Sequence, residues 1–210
     1  MRQTHMDGKL FLLDFDGVIA DSLELYENTT KRCFELIGKP ITRSRDDFLD
    51  LFDDNFYDAI QARGVKIEEF IRAVQEIGPT VNFSDVAVFK EMAPVLEKLA
   101  ATNTLIIISS NTNHAVRSIL SAHKFNGHFE EILGADVMVS KVEKIFHAME
   151  KYGYPPGITF FVGDTTGDIR EARQTGVKTV AVSWGWHARE RLAAVRPDHI
   201  IDVPNELLAF

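Results

Sequence analysis

The hydrophobic rhythm of the chain changes twice. Residues 10–13, Leu-Phe-Leu-Leu, form an unbroken apolar run, the pattern of a strand buried on both faces. Asp21-Ser22-Leu23-Glu24 then has the form of a capping box, and Leu23, Tyr26, Thr30, Cys33, Phe34 and Ile37 recur at helical spacing until Gly38 and Pro40 end the helix. Between residues 41 and 80 the rhythm stays helical. Phe48, Leu49, Phe52, Phe56 and Ile60 make one stripe, and Ile67, Phe70, Ile71, Val74 and Ile77 make another. From residue 94 strands and helices alternate. Helices are predicted at 94–101, 114–122, 142–152, 168–174 and 189–194, and strands at 105–108, around Ile132, and at 158–162, 179–182 and 199–201.

Alternation of this kind predicts an α/β fold, a Rossmann-like, doubly wound parallel sheet built from residues 1–20 and 86–210. The helical bundle over 21–85 is an insertion after the first strand, placed to serve as a cap domain. Hinges are expected at 18–20 and 84–86. In such sheets ligands bind beyond the carboxyl ends of the strands, so chemistry is sought there. Residues 1–8 are polar and carry no readable chemistry.

Composition narrows the partners. A chain of 210 residues, 45% of them hydrophobic, holds one core of ordinary size and a modest insertion. The formal net charge of -8, from 31 acidic and 23 basic residues, argues against a nucleic-acid or anionic-membrane partner and leaves a small molecule. Cys33 is the only cysteine, which excludes an internal disulfide and fits a cytoplasmic location. No apolar run approaches the length of a membrane span. Nothing in the pattern reads as an oligomerisation signal.

The candidate chemistry begins at the end of the first strand. In an extended backbone side chains at i and i+2 share a face, so Asp14 and Asp16 aim at one spot, and Gly17 lets the chain turn beside them. Two such carboxylates repel by about 4 kcal/mol at contact distance and an effective dielectric near 20. Either one is protonated or a cation such as Mg²⁺ lies between them. A lone D-x-D-G also serves as a strand-end turn, so partners elsewhere decide.

Those partners sit at the other strand ends. The strand at 105–108 runs into Ser109, Ser110, Asn111, Thr112 and Asn113, a set suited to an anion or to ordinary capping. Lys141 follows a short strand expected at 135–139 and opens a helix, where a cation opposes the macrodipole and so points toward an anion. Lys144, one turn later, competes for that role. The strand at 158–162 ends in Gly163-Asp164-Thr165-Thr166-Gly167-Asp168, adding carboxylates at the same edge. A metal held by Asp14 and Asp164, with Ser109 and Lys141 opposite, would grip a phosphate on both flanks. Asp14 would then attack phosphorus and Asp16 would shuttle a proton. In the bundle, Arg43, Arg45 and Arg63 are either solvated charges or contacts to a substrate anion.

The order D-x-D-G, S, K, G-D-x-x-x-D on alternating strands is similar to the haloacid dehalogenase superfamily of phosphohydrolases. It most resembles the phosphoglycolate phosphatase-like branch with a helical cap, whose W-G loop and final P-D-x-x-I-D-x-P-x-E-L-L match Trp184-Gly185 and residues 197–208. The resemblance implies a Mg²⁺-dependent phosphatase acting on a small phosphorylated metabolite, phosphoglycolate-like or a sugar phosphate. It implies Asp14 as the nucleophile and Asp16 as general acid/base. Ser109, Ser110, Asn111 and Lys141 would bind phosphate, Mg²⁺ would be held by Asp14, Asp16 and Asp164, and Asp168 would support it. One departure is Lys141-Val142-Glu143-Lys144, where many relatives have K-P-x-P. Dehalogenase members lack the second motif acid, so Asp16 argues for phosphoryl chemistry. The nearest rival is a phosphomutase of the β-phosphoglucomutase type. A non-enzymatic binding module is disfavoured, since it has no use for mutually repelling carboxylates.

Overall fold

The computed structural model describes residues 8–138 and 140–210. The reading of the first seven residues lies outside them. In chain order, β1 (Leu10–Leu13) and β2 (Ala20–Asp21) precede four helices, α1 (Leu23–Leu36), α2 (Arg45–Leu49), α3 (Phe56–Ala62) and α4 (Ile67–Ile77). β3 (Ala87–Val88), α5 (Met92–Ala100), β4 (Thr104–Ile108), α6 (Asn113–Ala122), β5 (Glu131–Leu133) and α7 (Lys141–Tyr152) follow. β6 (Thr159–Gly163), α8 (Thr166–Arg173), β7 (Lys178–Val182), α9 (Arg189–Ala194) and β8 (His199–Ile201) complete the chain, with short 3-10 turns between.

Among the described residues the main sheet has the order β5-β4-β1-β6-β7-β8, and every pairing in it is parallel. β1 lies inside it, with Leu13 opposite Ile107 on one side and Val162 on the other. Its side chains alternate between two cores. Phe11 and Leu13 pack with Leu96 and Ile119 of α5 and α6, whereas Leu10 and Leu12 pack with Ile145 and Ala172 of α7 and α8. Helices therefore cover both faces, and each buried side chain of β1 contributes about 1.5–3 kcal/mol. This is the expected doubly wound α/β core, and its strands end together at one edge.

The inserted helices have an aromatic core of their own, including Phe34, Phe48, Phe52, Phe56 and Phe70. Trp186, from the loop after β7, joins that core, with its ring edge-on to Phe52 at 4.8 Å. The chain leaves and re-enters the sheet side by side, because β2 pairs antiparallel with β3 through Ala20↔Val88 and Asp21↔Ala87. This pairing joins the two crossings next to the hinges expected at 18–20 and 84–86, overlapping them at Ala20. On its far side the insert is fastened to α8 and α9. Asp53 accepts from Thr166 at 2.7 Å and pairs with Arg191 at 2.9 Å, Asp50 pairs with Arg191 at 2.7 Å, and Asn55 donates to Glu171 at 3.1 Å. Exposed pairs of this kind contribute only about 0–1 kcal/mol singly, but together they fix where the turn at 50–55 lies.

Three local expectations need correction. The capping box at Asp21-Ser22-Leu23-Glu24 does not form: Asp21 belongs to β2, and Ser22, the residue at the N-cap, accepts no helix amide while its hydroxyl donates to Asp16. The first aromatic stripe is not one helix. Asn55 caps a new helix by accepting from the amides of Tyr57 and Asp58, which breaks the run between Phe52 and Phe56. The strand at 135–139 is absent over 135–138, where the chain turns with Val137 and Met138 donating to the Gly134 carbonyl. Val139 lies outside the described residues.

Candidate active site

Four loops at the carboxyl edge of the sheet converge on a pocket of ≈ 290 Å³ walled by Asp14, Asp16, Ser110, Lys141 and Thr165, with Tyr26, Phe52 and Trp186 closing it from the insert's side. Asp14, the first residue past β1, is buried. Its Oδ1 accepts the Phe15 amide at 2.7 Å, and its Oδ2 takes the Lys141 ammonium at 2.7 Å. Lys141 also donates to Asp168. Asp14, Asp164 and Asp168 each offer an oxygen within 4.8 Å of the others.

Glycines allow this crowding. Gly17 has φ +79°, and a Cβ there would lie 1.9 Å from Asp164 Oδ2, while a Cβ at Gly185 would lie 2.3 Å from Asp164 Cβ. A Cβ at Gly163 would meet Asp168 at 2.6 Å. Asp168 is held by the capping box of α8, accepting from the Thr165 amide at 3.0 Å and the Thr165 hydroxyl at 2.7 Å. Asp164 Oδ2 accepts the Trp186 amide at 2.7 Å. Its other oxygen is buried and has no hydrogen-bond partner among the described residues.

The electrostatics are those of too many acids for one lysine. Burial, with Asp168 and Asp16 adding to it, pushes Asp14 up to about 8 against the pull of Lys141. Burial and the charges of Asp168 and Asp14 push Asp164 well above the carboxylate range. Asp168 alone is held low, since Lys141 outweighs its burial. Lys141 is raised, its two carboxylates outweighing desolvation. A buried carboxylate oxygen without a partner, amid acids that share one ammonium, is a fit for a hard divalent cation, which binds oxygen ligands and supplies the missing charge.

The predicted residues separate into groups. Asp14, Asp16, Ser110 and Lys141 wall the pocket together, and Asp164 and Asp168 join Asp14 in the acid cluster. The Asp16 carboxylate, expected among the metal-holding acids, lies outside that cluster. It accepts from Ser22 at 2.6 Å and from Asn111 at 3.5 Å, and burial raises it above the usual carboxylate range. Ser109 is fully buried, its hydroxyl accepting the Asn111 amide at 2.9 Å and its side chain also bonded to Asp16, while Ser110 is the serine on the pocket wall. Lys144 is not on the pocket wall. It is buried behind the loop, with its ammonium on the Ser109 carbonyl at 2.6 Å, and burial with the charge of Lys141 lowers it to about 8. Arg45 pairs with Glu27 at 2.8 Å, and Arg43 and Arg63 are exposed.

Sequence reasoning missed Tyr26, Phe52 and Thr165 as pocket walls, and took from the loop at 184–187 only the resemblance of Trp184-Gly185. Its signal was available. Gly185 is the close-approach residue that brings the Trp186 amide onto Asp164, and His187 accepts the Thr166 amide at 3.1 Å.

Comparison with known proteins agrees with this geometry. Residues 11–182 match the family model described as haloacid dehalogenase-like hydrolase. A phosphoglycolate phosphatase of Synechococcus elongatus is 25% identical over 200 residues, spanning 94% of both chains. A phosphoglycolate phosphatase of Pseudomonas syringae pv. tomato is 28% identical over 220 residues, covering 95% of this chain and 78% of the relative. In three dimensions, a haloacid dehalogenase-like family hydrolase from Streptococcus pneumoniae superposes with a TM-score of 0.78 at 22% identity, covering 96% of this chain and 97% of that one.

Proposed function

From the premise that this chain belongs to the haloacid dehalogenase-like hydrolase family, we propose that it is a Mg²⁺-dependent phosphatase that hydrolyses the monoester of a small alcohol through Asp14. The observation that carries this reading is the pairing at the pocket wall. A buried carboxylate, Asp14, is steered by the Lys141 ammonium at 2.7 Å, while a second carboxylate, Asp16, lines the same pocket on separate hydrogen bonds. The two acids have different surroundings and so take different roles.

Lys141 orients Asp14 and offers positive charge to the phosphoryl oxygens, with Ser110 beside it. Asp14 attacks phosphorus in line with the leaving oxygen and becomes an aspartyl phosphate. Asp16, raised by burial and therefore able to carry a proton, protonates the departing alkoxide; it then takes a proton from the water that releases phosphate. Asp14 and Asp164 would hold Mg²⁺ with Asp168 beside them, and the ion supplies charge that keeps Asp14 ionised and offsets the negative charge of the phosphoryl group. Tyr26, Phe52 and Trp186 cover the pocket and limit water, which makes the inserted helices a cap.

The test is phosphate release from an aryl phosphate by the full chain with Mg²⁺, with chelator, and as Asp14→Asn. The expected result is turnover with Mg²⁺ only, reduced at least a thousandfold, about 4 kcal/mol, in the variant. Activity that survives both treatments, or isomerisation of a sugar phosphate without release of phosphate, would count against it. The names of the relatives put 2-phosphoglycolate on the first substrate panel.

A further inference from the structure

A second cavity opens from the reactive pocket, sharing Asp16, Tyr26 and Ser110 as walls and extending between the inserted helices and the sheet. It comprises ≈ 690 Å³ of atom-free space, part of it open solvent. We propose that it takes the alcohol half of the substrate, and that this half is neutral, mostly apolar and ring-bearing. The substrate class is then an aryl or arylalkyl phosphate, neither a phosphorylated hydroxy acid nor a sugar phosphate. The inference rests on the phosphatase reading for its orientation, because Asp16 and Ser110 mark the end where the ester bond lies.

The walls decide the chemistry. Leu25, Tyr57, Phe70, Val74 and Phe83 are among its apolar walls, and among the described residues no lysine or arginine lines the cavity. The carboxylate of a hydroxy acid would enter this space with no cation on its walls to pair with. A buried charge without a partner is strongly penalised. The candidate arginines do not supply one, since Arg45 is engaged by Glu27 and neither Arg43 nor Arg63 lines the cavity. A sugar would bring several hydroxyls that each need a partner, and on the polar wall Ser22 is committed to Asp16 at 2.6 Å, Asn111 to Asp16 and the Thr112 amide, and Thr112 to the Ala115 amide, which leaves the hydroxyls of Thr29 and Thr30 beside the two phenols. An aromatic ring, by contrast, packs edge-on or offset against Tyr26, Tyr57 and Phe70. The phenolic oxygens of Tyr26 and Tyr57 make no hydrogen bond among the described residues, so they suit one polar substituent on that ring.

The experiment compares benzyl phosphate, 2-phosphoglycolate and glucose 6-phosphate. All three leave as alkoxides, so their ranking reads fit rather than leaving-group strength. With the full chain and Mg²⁺, kcat/KM for benzyl phosphate should exceed the other two by at least thirtyfold. Calorimetric binding to Asp14→Asn should favour benzyl phosphate over 2-phosphoglycolate by at least tenfold. This second reading stands even if the wild type hydrolyses none of the three, a result that would remove the phosphatase reading alone. Thr29→Lys, on the partly exposed wall of the cavity, should shift the binding ratio toward 2-phosphoglycolate by at least tenfold. Equal or tighter binding of 2-phosphoglycolate or glucose 6-phosphate by the Asp14→Asn protein, absence of benzyl phosphate binding, or an unchanged ratio in Thr29→Lys would overturn the assignment.

Discussion

Stripped of divalent cations, the protein should lose stability steadily between about pH 5 and 8. Burial raises Asp14 from 3.8 to about 8 and also raises Asp164 well above the ordinary carboxylate range. An acid whose folded-state value lies above its unfolded value favours the folded state fully at low pH and loses that contribution as pH climbs through the folded value. For Asp14 alone the span is worth about 6 kcal/mol at 1.36 kcal/mol per unit, a large share of the roughly 5–15 kcal/mol that holds a domain together. Asp168 is lowered, so its contribution changes only below its ordinary range, and Lys141 is raised, so its own changes only in strong alkali. His187 opposes the trend, because burial lowers it and folding then gains as pH rises past its usual value. Comparison with Asp14→Asn cancels that term. Urea unfolding in chelator should show the wild type falling by several kcal/mol across the window and the variant falling less. Near pH 8 the variant should be the more stable by at least about 2 kcal/mol, with Mg²⁺ restoring the wild type. Wild-type stability that stays flat or rises, or a variant no more stable than wild type near pH 8, would refute the reasoning.

Three further outcomes can be checked. Lys141→Met should cut kcat at least a thousandfold, while Lys144→Met, which removes a strut under Ser109 outside the pocket, should cost under tenfold in kcat and about 2 kcal/mol or less in urea unfolding. Equal kinetic effects would mean that the two lysines had been told apart wrongly. Gly17→Ala should destabilise by more than about 2 kcal/mol and abolish turnover, since the added carbon would sit 1.9 Å from Asp164 Oδ2 at φ +79°; a stable, active variant would contradict the packing described. Asp53→Ala removes the side-chain partner of Thr166 and one of the two carboxylates on Arg191, so it should raise KM several-fold more than it lowers kcat, and the effect should shrink at high salt.

Much of the core was legible because it rests on one-dimensional pattern. Residues 10–13, 189–194 and 199–201 form the strand and helix that the apolar spacing predicts, with the same bounds. A central strand must be apolar at every position, and nothing else in a short run looks like it. Asp14, Asp164 and Lys141 were legible because each stands just past a strand or at a helix start, where topology fixes position. What was illegible depends on convergence in space. Asp21 reads as the cap of a D-x-x-E box, yet it pairs in β2, and the Ser22 hydroxyl beside it goes to Asp16. β2 and β3 are too short to show alternation. Trp186 comes from the loop after β7 yet packs in the core of the insert, a contact that no local periodicity encodes. Ser109 and Ser110, both expected to bind phosphate, part only in the folded chain: the strand ends at Ile108 as the apolar run suggests, Ser109 is fully buried beside it, and the half-buried Ser110 is on the pocket wall.

Chemical trapping during turnover tests the role of Asp14 most directly. An aspartyl phosphate is an acyl phosphate, which borohydride reduces to an alcohol, leaving homoserine in place of the aspartate, whereas a free carboxylate is untouched. With substrate and Mg²⁺ present, peptide mass spectrometry should find homoserine at position 14, and none when substrate is omitted. Asp14 recovered intact from protein that was releasing phosphate, or homoserine formed at another acid instead, would contradict its assignment as the nucleophile.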